Sequence, residues 1–267
     1  MKLTMLGTGS ALATECYNTC FLLADHGQYL LVDGGGGNGI LKQIKKANVD
    51  WKDIRDIFVT HEHIDHLLGI VWMVRAICQH MNQDDYQGEA RLYAHRQLID
   101  KLNTLLHMLL LEKQLRFIGE RLHFIPLEDG QEMDIIGHRF TFFDICSPKT
   151  KQFGFSVDIG NGEKLTCCGD ETYNDQIHEY AQGSKWFMHE AFCLYAQADI
   201  FKPYEKHHTT VKEACETAQR LCVQNCILYH TEDSNLKQRK ELYAQEGNPY
   251  FDGNLYIPDD LETLDIC

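Results

Sequence analysis

The chain has 267 residues, 44% hydrophobic and 24% charged, with 20 Gly and only 5 Pro. This composition excludes a disordered or collagen-like chain and fits a globular enzyme of one to two domains, long enough to bury roughly three quarters of its unfolded surface. Lys+Arg 25 against Asp+Glu 39 gives a formal net charge of −14, which disfavours a general role on nucleic acid or anionic membranes.

In chain order, β-rich runs are expected at Leu3–Leu6, Phe21–Ala24 and Tyr29–Val32, before an amphipathic helical pattern over Gly39–Ala47. A strand at Ile57–Thr60 leads into a helix at His66–His80. A strand at Arg91–Ala94 leads into a long helical stretch, Arg96–Glu120, with room for a break inside it. Strands follow at His123–Pro126, Arg139–Phe143, Gly154–Asp158 and Lys164–Cys167, then a helix at Asp175–Gln182. The remainder alternates: strand Trp186–His189, helix Thr210–Cys222, strand Cys226–His230, helix Ser234–Glu246 and strand Asn254–Ile257. Strands joined directly in the first half and alternating with helices in the second suggest an α/β (α+β) architecture. Two sheets would pack face to face with helices outside, read as one domain over 1–267.

The longest apolar stretches, Leu67–Val74 and Leu105–Leu111, are too short for a bilayer and are bounded by Arg75, Lys101 and Glu112. The opening Met1–Ser10 has no signal-peptide pattern. The 11 cysteines are odd in number, irregularly spaced and free of any Cys-x-x-Cys. A reduced cytoplasmic setting is therefore expected, with most cysteines serving as small buried hydrophobes.

Chemistry concentrates in His61-Glu62-His63-Ile64-Asp65-His66, where a strand should end and a helix begin. Imidazole and carboxylate suit zinc and related divalent ions. His61 and His63, at i and i+2, leave a strand end on the same side and can bind one ion. Asp65 and His66, in the turn that opens the helix, can face a second. The alternative is a polar turn, but an acidic chain has no compositional reason to cluster three histidines.

His-x-His-x-Asp-His after a hydrophobic strand resembles the signature of the metallo-β-lactamase superfamily. Leu6-Gly7-Thr8-Gly9-Ser10, Asn18-Thr19-Cys20-Phe21-Leu22-Leu23 and the turn Asp33-Gly34-Gly35-Gly36 are similar to its ribonuclease Z branch. The resemblance runs over nearly the whole chain. It implies a four-layer αββα sandwich with a site for two divalent metal ions at one edge between the sheets. Zinc is the first expectation, with manganese or iron as alternatives.

The resemblance also implies further site residues. Asp170 in Gly169-Asp170-Glu171-Thr172 matches the carboxylate that bridges two metals, although an Asp there can also cap the helix that follows. His230 closes a hydrophobic strand and matches the last histidine ligand. Asp65 is expected to hold one metal and orient the attacking water. Where a third histidine is expected, the chain reads Asp144-Ile145-Cys146-Ser147-Pro148-Lys149. Cys146 is the strongest ligand type in that loop and is expected to replace the histidine. The alternative is a non-ligating Cys beside a weakened first site.

Trp186–Phe192 resembles the ribonuclease Z His-Glu-Ala-Thr segment, and His207-His208-Thr209-Thr210 its His-Ser-Thr. The resemblance implies that His208 donates a proton to the leaving oxygen or holds the phosphate, with Glu190 orienting its ring. His189 reads as a structural strand histidine and His138 as a surface residue. Lys149, Lys151, Lys202 and Lys206 lie on loops flanking the expected site and could attract a phosphate. The Gly34–Gly39 run lacks a P-loop ending and reads as a turn close beside the metals.

Phe155 and Asp170 are separated only by Ser156–Gly169, which leaves room for a short hairpin through Gly160-Asn161-Gly162 but not for the long tRNA-gripping arm of bacterial ribonuclease Z. The expected activity is metal-dependent hydrolysis of a small or cyclic nucleotide-like phosphodiester. The alternatives are ribonuclease Z-type tRNA 3′ processing, lactone or thioester hydrolysis, and a catalytically degraded metal-binding scaffold. The expected partners are a small phosphodiester or ester substrate and, by analogy, a second copy of the chain; RNA is not favoured and no membrane is expected.

Overall fold

The computed structural model describes residues 1–266. The first half begins with strands β1 (Lys2–Gly7), β2 (Cys20–Asp25) and β3 (Gln28–Val32), then helix α1 (Gly39–Lys46). Strand β4 (Ile54–Phe58) runs to helix α2 (Ile64–Asn82), and β5 (Ala90–His95) to α3 (Arg96–Leu109). A short α4 (Glu112–Leu115) precedes β6 (Leu122–Leu127). The second half opens with β7 (Gln131–Ile135), β8 (His138–Asp144), β9 (Phe153–Gly160) and β10 (Glu163–Cys167), then a short α5 (His178–Ala181). Strand β11 (Trp186–Glu190), short α6 (Ala198–Phe201), α7 (Val211–Arg220), β12 (Asn225–Tyr229), α8 (Arg239–Gly247), β13 (Asn254–Tyr256) and β14 (Thr263–Asp265) complete it.

The expected long stretch after β5 does break, at Leu110-Leu111 between α3 and α4. Strands β7 and β14 were not expected from sequence. Gln131–Ile135 is polar at all but two positions, and Thr263–Asp265 is only three residues long. Both lie at sheet edges, where a strand needs little apolar burial.

Among the described residues the strands form two mixed seven-stranded sheets, ordered β14-β1-β2-β3-β4-β5-β6 and β13-β12-β11-β10-β9-β8-β7. Each runs antiparallel on one side and parallel on the other, with β3 to β6 parallel in the first and β10 to β13 in the second. Side-chain alternation then sorts the apolar residues into layers. Leu3, Phe21, Leu30, Phe58, Phe142, Phe155, Met188 and Ile227 form the core between the sheets. Their neighbours Leu22, Leu31 and Ile57 pack outward against Ile40 and Ile70 of α1 and α2. Phe187 and Leu228 pack outward against Val211, Ala214 and Tyr243 of α7 and α8. Burial on both faces explains why these strands read as continuous apolar runs, and it yields the αββα order.

Between β9 and β10 the hairpin turns through Asn161 and Gly162, both at positive φ (58° and 73°), as a tight two-residue turn requires. No helix among the described residues is long and apolar enough to cross a membrane.

Candidate metal centre

The site lies where β4, β10, β11 and β12 end. Strand β4 stops at Phe58, and Val59-Thr60-His61-Glu62-His63 carries the chain to α2. His61 is fully buried, and its two ring nitrogens lie 2.9 Å from Thr60 Oγ1 and 2.9 Å from His63 Nδ1. Glu62 turns outward and pairs with Lys101 on α3. Asp65 and His66 occupy the first turn of α2, so that helix position sets their direction.

What fixes α2 is the turn after β3. The Gly34 amide donates to the His66 carbonyl and the Gly69 amide to the Gly35 carbonyl, both at 2.9 Å. A Cβ on Gly69 would lie 1.8 Å from the Gly34 carbonyl oxygen, so only glycine permits this approach. The expectation that this glycine run brings backbone close beside the site is met here.

Asp33 opens that turn, and its role was not read from the sequence. It is buried at φ 57° and accepts from the Thr60 amide (2.9 Å) and the Thr60 hydroxyl (2.8 Å), while His66 Nδ1 lies 2.8 Å from its Oδ2. A carboxylate that holds the far nitrogen of an imidazole fixes the ring and leaves Nε2 free to bind. The available signal was an Asp at the head of a glycine run.

From the second sheet, Asp170 follows β10 and His230 follows β12. Gly169 at φ 71° and Gln152 set Asp170, whose amide donates to Gln152 Oε1 at 2.9 Å. Tyr229 donates its hydroxyl to the Gly169 carbonyl. His230 lies just beyond β12 at φ 58°, which turns its ring toward the carboxylates.

His61, His66 and Asp170 present ligand atoms within 4.8 Å of one another, as do Asp65, His66 and His230, and Glu190, His208 and His230. His61 Nε2 is 3.5 Å from Asp170 Oδ1. His66 Nε2 is 3.5 Å from both Asp65 and Asp170, and His230 Nε2 is 3.3 Å from Asp170 Oδ2. Four buried atoms of this ring, His66 Nε2, His230 Nδ1 and Nε2, and Asp170 Oδ1, lack hydrogen-bond partners. Buried orphan donors and acceptors converging from carboxylates and imidazoles fit a divalent cation.

The charges agree. Burial pushes His61 well below the ordinary imidazole pKa, which leaves the neutral form that binds metals. Burial also opposes charge on His66, but Asp33, Asp65 and Asp170 hold its pKa well above the ordinary value. Burial works against ionised Asp65 and Asp170 too, yet the surrounding histidines keep both below the usual carboxylate range. A cation in the ring would take the place of the His66 proton.

The structure does not bring Cys146 into the converging ring. Its backbone adopts φ 57°, its amide donates to Asp144 Oδ1 at 2.9 Å, and its thiol lies exposed 3.7 Å from the Asp144 carbonyl. It belongs to none of the converging groups among the described residues. His138 is less exposed than expected and lies 2.6 Å from Asp25. His189 is fully buried, with Nδ1 2.7 Å from the Glu190 carbonyl, as a structural histidine should be.

Glu190, fully buried at the end of β11, accepts the Thr209 amide with Oε1. Its Oε2 lies 3.6 Å from His208 Nδ1, close enough to pair by charge but long for a hydrogen bond. The His208 ring stacks on Phe192 (5.0 Å, 19°) and sits 5.1 Å from His230. Burial lowers the His208 pKa, but the Glu190 carboxylate outweighs it and the net direction is up. Thr210 caps α7 and donates its amide and hydroxyl to Glu213 Oε2 (3.0 and 2.6 Å). The chain thus uses adjacent residues for the cap and for the site.

The sheets, their order and this ring define a ribonuclease Z-like hydrolase of the metallo-β-lactamase superfamily, with residues suited to divalent metal ions. Within that class, the chain belongs to the Anti-Pycsar protein Apyc1 family, whose model matches residues 1–247. The chain is 23% identical to ribonuclease Z of Thermococcus sibiricus over 99% of this chain and 96% of that protein. Its fold is similar to that of the metallo-beta-lactamase fold protein YhfI from Bacillus subtilis, with TM-score 0.79 and 15% identity over 98% of both chains. A diphosphatase from the PhnP family aligns with TM-score 0.74 and 17% identity, over 98% of this chain and 96% of that one.

Proposed function

We propose that the protein is a binuclear metal-dependent phosphodiesterase whose substrate is a small or cyclic nucleotide-like phosphodiester. The observation that carries this reading is the Glu190–His208 pair set against His230, an acid–base unit that shares a wall with the cation-suited ring. Ester and lactone hydrolysis needs the ring but no such pair.

In this reading His61, His63, Asp65, His66, Asp170 and His230 would hold the two ions. Such ions polarise a phosphoryl oxygen and lower the pKa of water toward ~7. Asp65 orients the attacking water on the side away from the leaving group. The water oxygen forms the new P–O bond as the P–O bond to the leaving oxygen breaks. His208, kept protonated by Glu190, gives its proton to that oxygen while the proton lost by the attacking water passes to solvent. An acyclic diester thus gives a phosphomonoester and an alcohol, and a cyclic one gives both groups in one molecule. Phe192 keeps the ring in plane and the Thr209 amide anchors Glu190. A cavity of about 370 Å³ opens beside His208, between Tyr173, Tyr204 and Arg220. That volume falls in the range of small-molecule sites and supports a nucleotide-sized substrate.

The test is hydrolysis of bis(4-nitrophenyl) phosphate and of a 3′,5′-cyclic nucleotide by protein reconstituted separately with zinc and manganese. Asp65→Ala should abolish both activities. His208→Ala should cost about 10²–10⁴-fold on the cyclic nucleotide, whose alkoxide leaving group needs a proton, and less on the nitrophenyl ester, whose leaving group does not. Equal turnover by both variants and the parent would sink the reading. A second reading, tRNA 3′ processing, is favoured by the relationship to ribonuclease Z of Thermococcus sibiricus. Cleavage of precursor tRNA, with no turnover of either small ester, would select it.

A further inference from the structure

The loop between β8 and β9 leaves the site without a third histidine, but it does not leave that side bare. Ser147 and Lys149 turn inward there. Ser147 Oγ donates to Glu171 Oε2 at 2.5 Å and accepts from the Lys149 amide at 3.2 Å. Lys149 Nζ lies 3.6 Å from Glu171 Oε2 and donates to the Lys206 carbonyl at 3.3 Å. The Glu171 side chain is only 3% exposed and that of Lys149 only 18%. Burying a carboxylate and an ammonium is costly, so the fold sustains this pair against desolvation.

The four loop lysines are not alike. Lys151 is paired with Asp144 and Lys202 with Asp199, with side chains 40% and 51% exposed. Lys206 lies over the Phe192 ring at 4.8 Å. Lys149 alone of the four reaches inward, tying the β8–β9 loop to the segment that carries His208. Glu171 follows Asp170 in the chain and Lys206 lies two residues before His208, so the two contacts of Lys149 set it between the Asp170 and His208 segments. A protonated ammonium cannot ligate a metal, so Lys149 does not stand in for the missing histidine as a ligand. It has three donors, and the Lys206 carbonyl and Glu171 engage at most two.

We propose that Lys149 is a substrate-positioning residue whose ammonium, steered by Glu171 and the Lys206 carbonyl, receives a non-bridging oxygen of an anionic phosphodiester. This rests on the phosphodiesterase reading and sharpens it. A neutral lactone or thioester offers a fixed cation no anion in its ground state, whereas a phosphodiester carries a negative charge that the ammonium meets from the ground state onward. The interaction is therefore uniform binding, which sets KM more than kcat.

The experiment compares the parent with Lys149→Met and Lys149→Arg, each reconstituted with zinc. Three quantities are read: kcat and KM for bis(4-nitrophenyl) phosphate, titration of inorganic phosphate by calorimetry, and bound zinc by mass spectrometry. Lys149→Met should raise KM and weaken phosphate binding by about 10–100-fold, with kcat within about threefold and zinc content unchanged. Lys149→Arg should recover most of both losses. Unchanged KM and phosphate affinity in Lys149→Met overturn the proposal, as does a loss confined to kcat. If the parent turns over no phosphodiester, the functional reading fails by itself. The phosphate titration then still decides whether Lys149 holds a phosphoryl oxygen.

Discussion

Asp33 shows how much of this site depends on a residue that is not itself an expected ligand. It satisfies the Thr60 amide, the Thr60 hydroxyl and His66 Nδ1 at once. Thr60 in turn holds His61, so one carboxylate aligns two of the imidazoles. Asp33→Asn keeps the shape but replaces one acceptor oxygen with a donor that faces a hydroxyl and a ring N–H. Leaving buried donors unsatisfied costs about 1–3 kcal/mol each, and losing the partner of a metal-bound histidine weakens affinity about 10–100-fold. We expect Asp33→Asn to bind zinc at least tenfold more weakly in a chelator competition and to melt at lower temperature. Parent-like affinity would mean that His66 is oriented by α2 alone.

Element α2 carries two candidate ligands and is placed by backbone rather than by side chains. Gly34 and Gly69 meet with no room for a Cβ on either. Gly69→Ala must therefore separate α2 from the β3–α1 turn, and overpacking of this kind costs about 1–3 kcal/mol. The urea midpoint should fall accordingly and zinc content should drop with it. Gly37→Ala, where nothing lies within 4 Å, should change neither. The same element shows what sequence could reveal. His61 through His66 is legible because a strand end and one helical turn place all its ligands within six consecutive residues. The buried strands were legible because both faces are covered and the apolar runs are unbroken. Asp33 was not legible in its role, because its partners lie 27 and 33 residues away. Lys149 read only as one of four loop lysines able to attract a phosphate, because the contacts that set it apart lie on the Glu171 and Lys206 segments. Spacing along the chain carries no trace of such pairs. For Cys146 residue type alone suggested a ligand, while the left-handed backbone and the Asp144 contact set where the thiol lies, outside the converging groups.

At the scale of the whole molecule, the ring joins the two sheets. His61, Asp65 and His66 come from the β4–α2 side, with His63 beside His61, and Asp170 and His230 from the ends of β10 and β12. A cation held there links the halves and stabilises the native state in proportion to its affinity, about 2.7 kcal/mol at a hundredfold excess over Kd. That gain depends on pH through His66. The His66 pKa is raised, so in the metal-free protein its stabilising share is complete below its unfolded value of about 6.5 and is lost as pH rises through its folded value. Asp65 and Asp170 are depressed, so their share is present above about 3.9 and is lost only as pH falls through their folded values. Metal binding needs neutral His66. Below its folded pKa each pH unit therefore costs about tenfold in affinity, or about 1.4 kcal/mol. The two trends act together: raising the pH weakens the metal-free protein and strengthens metal binding. The difference in Tm between zinc-loaded and chelator-treated protein should widen from about pH 6 to about pH 8, and His66→Ala should flatten that dependence. A gap that stays constant or narrows over this range would mean that His66 keeps its proton and takes no metal ion, leaving Asp65, Asp170 and His230 to hold the second one.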